Sequence, residues 1–110
     1  MKKKHLPRKE TQVCRIRSLL LNISDGIEVS NIDYKISEKE FNTYFSALEQ
    51  TGYIRLIEGK EYYKSSSYII ADLDKYNKLM NNAYKLISKI IVPIVVGMLE
   101  LTMKTACLQF

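Results

Sequence analysis

The sequence has few of the residues that build metal or disulfide sites. It contains two cysteines, Cys14 and Cys107, with no CxxC pair, and a single histidine, His5. A structural zinc site needs about four Cys or His ligands, so that class of site is excluded. Four glycines and two prolines in 110 residues also exclude collagen-like and linker-like chains. Because no apolar signal segment opens the chain, free cytosolic thiols are favoured, although a disulfide stays open.

Motifs of known catalytic sites are also absent. GxSxG, HExxH, the Walker loop and GxGxxG do not occur. The single histidine lies in a basic N-terminal segment, and neither cysteine has a histidine that a fold would bring near it. We therefore expect a protein that is not an enzyme and that uses no cofactor or metal.

Long apolar runs are missing as well. Residues 90–99 are uncharged, but a membrane-spanning helix needs about 20 apolar residues. Membrane insertion is therefore not expected, and we predict a cytoplasmic protein.

The composition, with 46% hydrophobic and 26% charged residues, is that of one globular domain. The net charge of +5 is unevenly placed: residues 1–17 carry +6, residues 18–70 carry −3 and residues 71–110 carry +2. A basic N-terminal end suits a phosphate-rich partner or an anionic membrane surface, or it acts only as a solubilising tail. We predict that residues 1–8 form a flexible basic arm.

Apolar periodicity predicts two helices in the first half of the chain. Residues 9–23 have apolar side chains at steps of three and four, and Gly26 is a stop signal. A second helix is predicted from Glu38 to about residue 51, capped by Ser37 and with Glu40 completing a capping box. Its buried face consists of Phe41, Tyr44, Phe45 and Leu48.

Shorter elements are predicted around these helices. Residues 27–29 read as a short strand, and residues 30–35 as a brief helix capped by Ser30 with Ile32 facing inward. Residues 53–58 and 61–64 read as a β-hairpin that turns at Gly59 and Lys60. Residues 65–67 either lie within the returning strand or form a short loop before residues 68–70.

Residues 72–110 carry a long helical pattern. Its apolar positions alternate at steps of three and four, as in an a/d seam, and Pro93 should kink or break the helix. An identical partner would bury such a seam, so we predict a C-terminal dimerisation helix over residues 71–110. The predicted interface residues are Leu73, Tyr76, Met80, Ala83, Ile87, Ile90, Ile94, Gly97 and Leu101.

The order of these elements resembles the winged helix-turn-helix family. The resemblance covers residues 9–70 and rests on residues 26–30, 37–50, 51–54 and 59–63. In residues 47–54 a leucine packs inward, a glycine breaks the helix, and an aromatic–aliphatic pair starts the strand. The resemblance implies an α+β fold, a winged helix-turn-helix followed by a long C-terminal helix, that binds double-stranded DNA as a homodimer.

The resemblance also implies which residues contact DNA. The helix that begins at Glu38 would enter the major groove, the hairpin would contact the backbone or minor groove, and the arm would add charge. These DNA-binding candidates are Lys39, Asn42, Thr43 and Ser46 on the helix, Arg55, Lys60 and Lys64 on the hairpin, and Lys2, Lys3, Lys4, Arg8 and Lys9 in the arm.

The expected role is that of a small transcription regulator or a plasmid- or phage-type DNA-binding factor, associated with the nucleoid when bound. Winged helices also serve as protein-docking modules, and the predicted recognition helix carries three glutamates against one lysine. The alternative is therefore an adaptor that docks a protein and does not bind DNA.

Overall fold

The computed structural model describes the backbone of residues 3–108 and the side chains of residues 3–100. A 3-10 turn, Ser65–Ser67, precedes the second strand, and a π-helical turn, Ile87–Ile91, joins the last two helices. The fold is α+β, as predicted. Its elements are α1 (Gln12–Asp25), α2 (Asn31–Tyr34), α3 (Glu38–Gln50), β1 (Ile54–Leu56), β2 (Tyr68–Ile70), α4 (Leu73–Asn81), α5 (Ala83–Leu86) and α6 (Val92–Leu108).

Helix α1 begins at Gln12, three residues later than predicted. The Thr11 hydroxyl accepts a hydrogen bond from the Cys14 amide at 3.2 Å and so caps the helix. Gly26 ends α1 in the left-handed conformation (φ 69°), which glycine adopts without steric cost. The predicted stop signal is therefore confirmed.

Helix α2 is a single turn that starts after Ser30, where a helix was predicted. The prediction for Ile32 is wrong: its side chain is 79% exposed, and Tyr34 is the buried residue of this turn. The Tyr34 ring lies 5.8 Å from the Phe41 ring and its hydroxyl bonds to Ser18 and Asn22. An aromatic residue with two buried polar partners therefore takes the inward position.

Helix α3 has the predicted start and the predicted buried face. The Ser37 hydroxyl accepts from the Glu40 amide at 3.1 Å. The predicted reciprocal bond from Glu40 is not the one formed, because its carboxylate accepts from the Tyr44 hydroxyl and lies 3.8 Å from Arg15. Glu40 thus ties α3 to α1 instead of completing a capping box.

The sheet differs from the predicted hairpin. β1 pairs antiparallel with β2, with Ile54 opposite Ile70, so residues 61–64 belong to the connecting loop. Tyr68 anchors β2, since it is buried and its ring stacks on Phe45 at 4.8 Å. A buried aromatic residue, and not the Gly59 turn, therefore decides where the returning strand lies.

Residues 27–29 do not form the predicted strand. The buried Ser65 hydroxyl lies where a neighbouring strand would lie: it accepts from the Val29 amide at 2.9 Å and donates to the Ile27 carbonyl at 2.7 Å. One side chain thus satisfies the backbone groups that strand pairing would otherwise satisfy.

The C-terminal region consists of two helices at a sharp angle, and not one long helix. Asn82 has non-helical backbone angles (φ −131°, ψ 42°), and the helix axes on either side of it meet at 103°. The sharp break is therefore at Asn82 and not near Pro93, where the sequence predicted a kink or a break. Just before Pro93 the helix is distorted but continuous: it passes through the π-helical turn Ile87–Ile91, and Val92 keeps helical angles (φ −57°, ψ −44°).

The bend at Asn82 also changes the predicted seam. Tyr76, Ala83 and Ile87 are buried in the core of their own chain and cannot form a dimer interface. They share that core with Leu79, Ile91 and Val95, so the helices after β2 belong to the same domain as α1 and α3. The side chain of Leu101 lies outside the described residues. The other seam positions are at the surface or partly buried: Leu73, Met80, Ile90, Ile94 and Gly97.

Residues 4 and 5 lie against the domain, whereas the sequence predicted a flexible arm over residues 1–8. The His5 amide donates to the Asn22 side chain at 2.8 Å, and the Asn22 amide donates back to the His5 carbonyl at 2.9 Å. The His5 ring lies 2.6 Å from Asp25, and Lys4 pairs with Asp33 at 3.1 Å. Residues 4 and 5 are therefore held to the domain by specific bonds.

Candidate nucleic-acid interface

The outer face of α3 is polar and is fixed by the core behind it. Phe41, Tyr44, Phe45 and Leu48 are buried, so the opposite face points outward. That face carries the four predicted residues: Lys39 is exposed, and Asn42, Thr43 and Ser46 are half-buried. The structure therefore brings these four side chains together on one helix surface.

Two of these side chains form hydrogen bonds to the backbone of α3 itself. The Thr43 hydroxyl donates to the Lys39 carbonyl at 2.7 Å, and the Ser46 hydroxyl donates to the Asn42 carbonyl at 3.3 Å. Both hydroxyl oxygens keep lone pairs that can accept from a ligand. The side chains of Lys39 and Asn42 have no hydrogen-bond partner among residues 3–100, so they are best able to contact a base edge.

The first turn of α3 is tied to α1 through Glu40. Its carboxylate accepts from the Tyr44 hydroxyl and faces the Arg15 guanidinium. Burial, followed by the adjacent carboxylate, raises the pKa of the Tyr44 hydroxyl well above its ordinary value. The hydroxyl therefore stays protonated and keeps donating, which fixes the position of α3 relative to α1.

A groove of about 340 Å³ separates α3 from the loop that joins β1 to β2. We call it the α3 groove, and Glu28, Glu38, Asn42, Tyr62, Tyr63 and Lys64 are among its lining residues. Lys64, the one lysine among its described lining residues, lies 3.0 Å from the Glu61 carboxylate, which raises the pKa of the lysine ammonium. Two carboxylates and a paired lysine make this groove unfavourable for phosphate.

The hairpin candidates lie on two elements. Arg55 is on β1 opposite Ile69, and Lys60 and Lys64 are in the loop. All three side chains are exposed. Lys64 is paired with Glu61, so Arg55 and Lys60 are the hairpin cations without an ion pair within residues 3–100.

The N-terminal candidates have different neighbours in the fold. Lys3 is exposed, and Lys4 is paired with Asp33 of α2. Arg8 and Lys9 line a cavity beside Tyr84 of α5. Lys2 lies outside the described residues. Sequence reasoning did not select Tyr84 or its neighbour Lys85, because nothing local indicates that α5 lies against residues 8 and 9.

The described residues form neither a metal-binding cluster nor a single membrane-spanning helix. Within them, no group of three or more His, Cys, Asp or Glu side chains is placed to hold a metal ion. No single helix in the described chain has the length and apolar character to cross a membrane. Only the pair Leu73–Asn81 and Ala83–Glu100, bent by 103°, meets both criteria when taken together.

Comparisons with models of protein families, with characterised proteins and with solved structures found no match. The function is therefore inferred from the geometry and charge of the surfaces described above.

Proposed function

We propose that the chain is a winged helix-turn-helix protein that binds double-stranded DNA as a homodimer. In this proposal α2 and α3 form the helix-turn-helix, α3 enters the major groove, and the β1–β2 loop is the wing. Such a protein acts in the cytoplasm as a small transcription regulator or a plasmid- or phage-type DNA-binding factor.

The outer face of α3 is the observation that carries the proposal. Lys39 and Asn42 project from a helix whose other face is locked into the core, and neither has a partner among residues 3–100. Lysine pairs with guanine and asparagine with adenine at the major-groove edge, and the fixed helix reduces the ordering cost of binding.

The homodimer is proposed through one face at the start of α6. Ile94 and Gly97 are three residues apart in α6 and share one side of that helix, and Ile90 is the seam position in the π-helical turn just before it. Ile90 is 39% exposed although it is apolar. Pairing with a second copy would bury this face, and Gly97 would allow close approach.

The α3 groove favours a second candidate, an adaptor that docks a protein without binding DNA. Glu28 and Glu38 line this groove beside Tyr62 and Tyr63, which suits a basic segment of a protein better than phosphate. The two candidates predict opposite results with nucleic acid.

The test is binding of the full chain to a labelled random-sequence duplex at two salt concentrations, with light scattering on the same sample. DNA binding predicts affinity that falls steeply with salt and a particle of twice the chain mass. No binding at low salt would contradict it and leave the adaptor. The variant Lys39→Gln with Asn42→Ala should weaken binding, whereas Lys78→Gln with Asn77→Ala, the same change on exposed α4 positions, should not.

A further inference from the structure

A second concave surface lies on the other side of α1. Three cavities, of about 170, 350 and 360 Å³, meet at Tyr84. The first and third share Arg8 and Cys14, and the first and second share Arg17. We call this continuous surface the Tyr84 groove. The residues that carry the argument are Arg8, Lys9, Cys14, Arg17, Tyr84 and Lys85.

The charged side chains of the Tyr84 groove are basic. Among residues 3–100, four cationic side chains line it, and none of the lining residues is an aspartate or glutamate. Within residues 3–100, none of the four forms an ion pair. Lys4, Arg15, Lys35 and Lys64, in contrast, each pair with a carboxylate. The cations of the Tyr84 groove are Arg8, Lys9, Arg17 and Lys85.

Helix geometry separates the Tyr84 groove from the α3 groove. Arg15 points from α1 toward Glu40 of α3. Arg17 follows two residues later, a rotation of about 200° around the helix axis, so it points away from α3. The two grooves also have no lining residue in common.

The N-terminal segment that supplies Arg8 and Lys9 is held in place before any ligand binds. His5 is bonded to Asn22 through both its amide and its carbonyl, and Ser18 also donates to that carbonyl. The segment that carries Arg8 and Lys9 is thus held close to α1, where Arg8 and Arg17 line the same cavity. Such preorganisation lowers the entropy cost of binding an extended anion.

We infer that the Tyr84 groove is a second nucleic-acid-binding surface, which takes the phosphodiester backbone. Four unpaired cations along a continuous groove match a chain of phosphates. The Tyr84 ring is 52% exposed at the point where the cavities meet, so it can stack on a base or sugar. The inference extends the proposed function, since each protomer then has nucleic-acid contacts on opposite sides of α1.

The test maps both surfaces at once. The uniformly ¹⁵N-labelled full chain is titrated with a 16-base-pair duplex, with an oligo-dT strand and with vesicles containing phosphatidylserine. Amide shifts of Arg17, Tyr84 and Lys85 report on this groove, and those of Lys39 and Asn42 report on α3. We expect the amide signals of Arg17, Tyr84 and Lys85 to shift when the duplex or oligo-dT is added. The ligand that causes the shift identifies whether the groove binds double-stranded or single-stranded nucleic acid.

Variants give the second measurement. Arg17→Gln with Lys85→Gln should reduce the slope of log affinity against log salt by about two per protomer. Lys78→Gln with Lys89→Gln removes the same charge from exposed positions outside the groove and should leave the slope near that of the wild type. A far-ultraviolet spectrum and melting curve for each variant show that it is folded.

Two results would overturn the inference: no shift in the Arg17, Tyr84 and Lys85 amides with either nucleic acid, or shifts there with vesicles alone. If only the α3 amides shift, the inference fails and the proposed function stands. If only the Tyr84 groove amides shift, the inference stands and the assigned role of α3 fails.

Discussion

The two sides of α1 carry basic residues in different states. On the side that faces α3, Arg15 is partly buried and lies near Glu40, and the adjoining groove contains Glu28 and Glu38. On the opposite side, Arg17 joins three other cations in a groove without carboxylates. The binding chemistry of each side therefore depends on whether its cations are already paired.

This difference matters for reading basic sequences. Residues 1–17 look predominantly basic in the sequence, yet Lys4 and Arg15 lie near carboxylates, whereas Arg8, Lys9 and Arg17 form no ion pair within residues 3–100. Exposed ion pairs contribute little to stability, but they lower the charge that a distant phosphate experiences. Charge available for a ligand is thus decided by tertiary contacts.

The largest expected effect concerns the bonds that hold the N-terminal segment to α1. Asn22 is fully buried and bonds to His5 twice and to the Tyr34 hydroxyl. Asn22→Ala should lower the free energy of unfolding by about 2–3 kcal/mol, because buried polar groups lose their partners. Urea unfolding measures this change.

The Asn22→Ala variant should also weaken nucleic-acid binding in the Tyr84 groove, since Arg8 and Lys9 would lose their fixed position. Asn42→Ala is the matched control, because Asn42 has no partner among residues 3–100, and it should change the free energy of unfolding by less than about 0.5 kcal/mol. Equal losses in the two variants would contradict this account of how the segment is held.

The first half of the fold is largely predictable from the sequence because its signals are local. The apolar periodicity of α1 and α3, the Ser37 cap and the Gly26 stop each depend on residues within one or two helical turns. The four polar residues on the outer face of α3 follow from the same periodicity.

The sequence predictions are wrong where contacts between residues far apart in the chain determine the structure. Tyr68 replaces residues 61–64 in the sheet because its ring stacks on Phe45, 23 positions earlier. The a/d seam fails because the 103° turn at Asn82 directs Ile87 into the core of its own chain. The Tyr84 groove joins residues more than 60 positions apart, and no sequence pattern indicates that they meet.

The next largest effect concerns the side of α1 that faces α3. Ser65 is buried and satisfies both the Val29 amide and the Ile27 carbonyl. Ser65→Ala should lower the free energy of unfolding by about 2 kcal/mol, because two buried backbone groups are left unpaired. Ser66→Ala changes an exposed neighbour and should have almost no effect in the same measurement. A neutral Ser65→Ala would show that the loop is held by other contacts.

A smaller effect tests the acidic character of the α3 groove. Glu28→Gln with Glu38→Gln keeps similar shapes and removes two negative charges from this groove. Duplex affinity should rise by about threefold, as expected for exposed charges that repel phosphate. Fluorescence anisotropy at low salt measures the change.

The control for that variant is Asp74→Asn with Glu100→Gln. It removes two exposed carboxylates that line neither groove, and Asp74, like Glu38, lies in the first turn of a helix. A similar gain in both variants would mean that total charge, and not the groove, determines affinity.

The smallest effect concerns Asp33 of α2, which pairs with Lys4. Burial raises the pKa of Asp33, but the hydrogen bond from the Ser30 amide and the Lys4 ammonium outweigh it, so its pKa lies below the ordinary 3.8. A carboxylate whose pKa is lowered by folding stabilises the folded state above its ordinary pKa. That contribution is lost as the pH falls through the folded-state pKa.

Between about pH 5 and pH 3, the wild type should therefore lose more stability than Asp33→Asn, which has no charge to lose. Lys4→Gln should give an intermediate slope, because it removes the ammonium and keeps the Ser30 bond. Urea unfolding across this pH range measures all three proteins. Parallel curves for the wild type and Asp33→Asn would show that the Lys4–Asp33 pair does not hold the N-terminal segment, leaving that role to the bonds between His5 and Asn22.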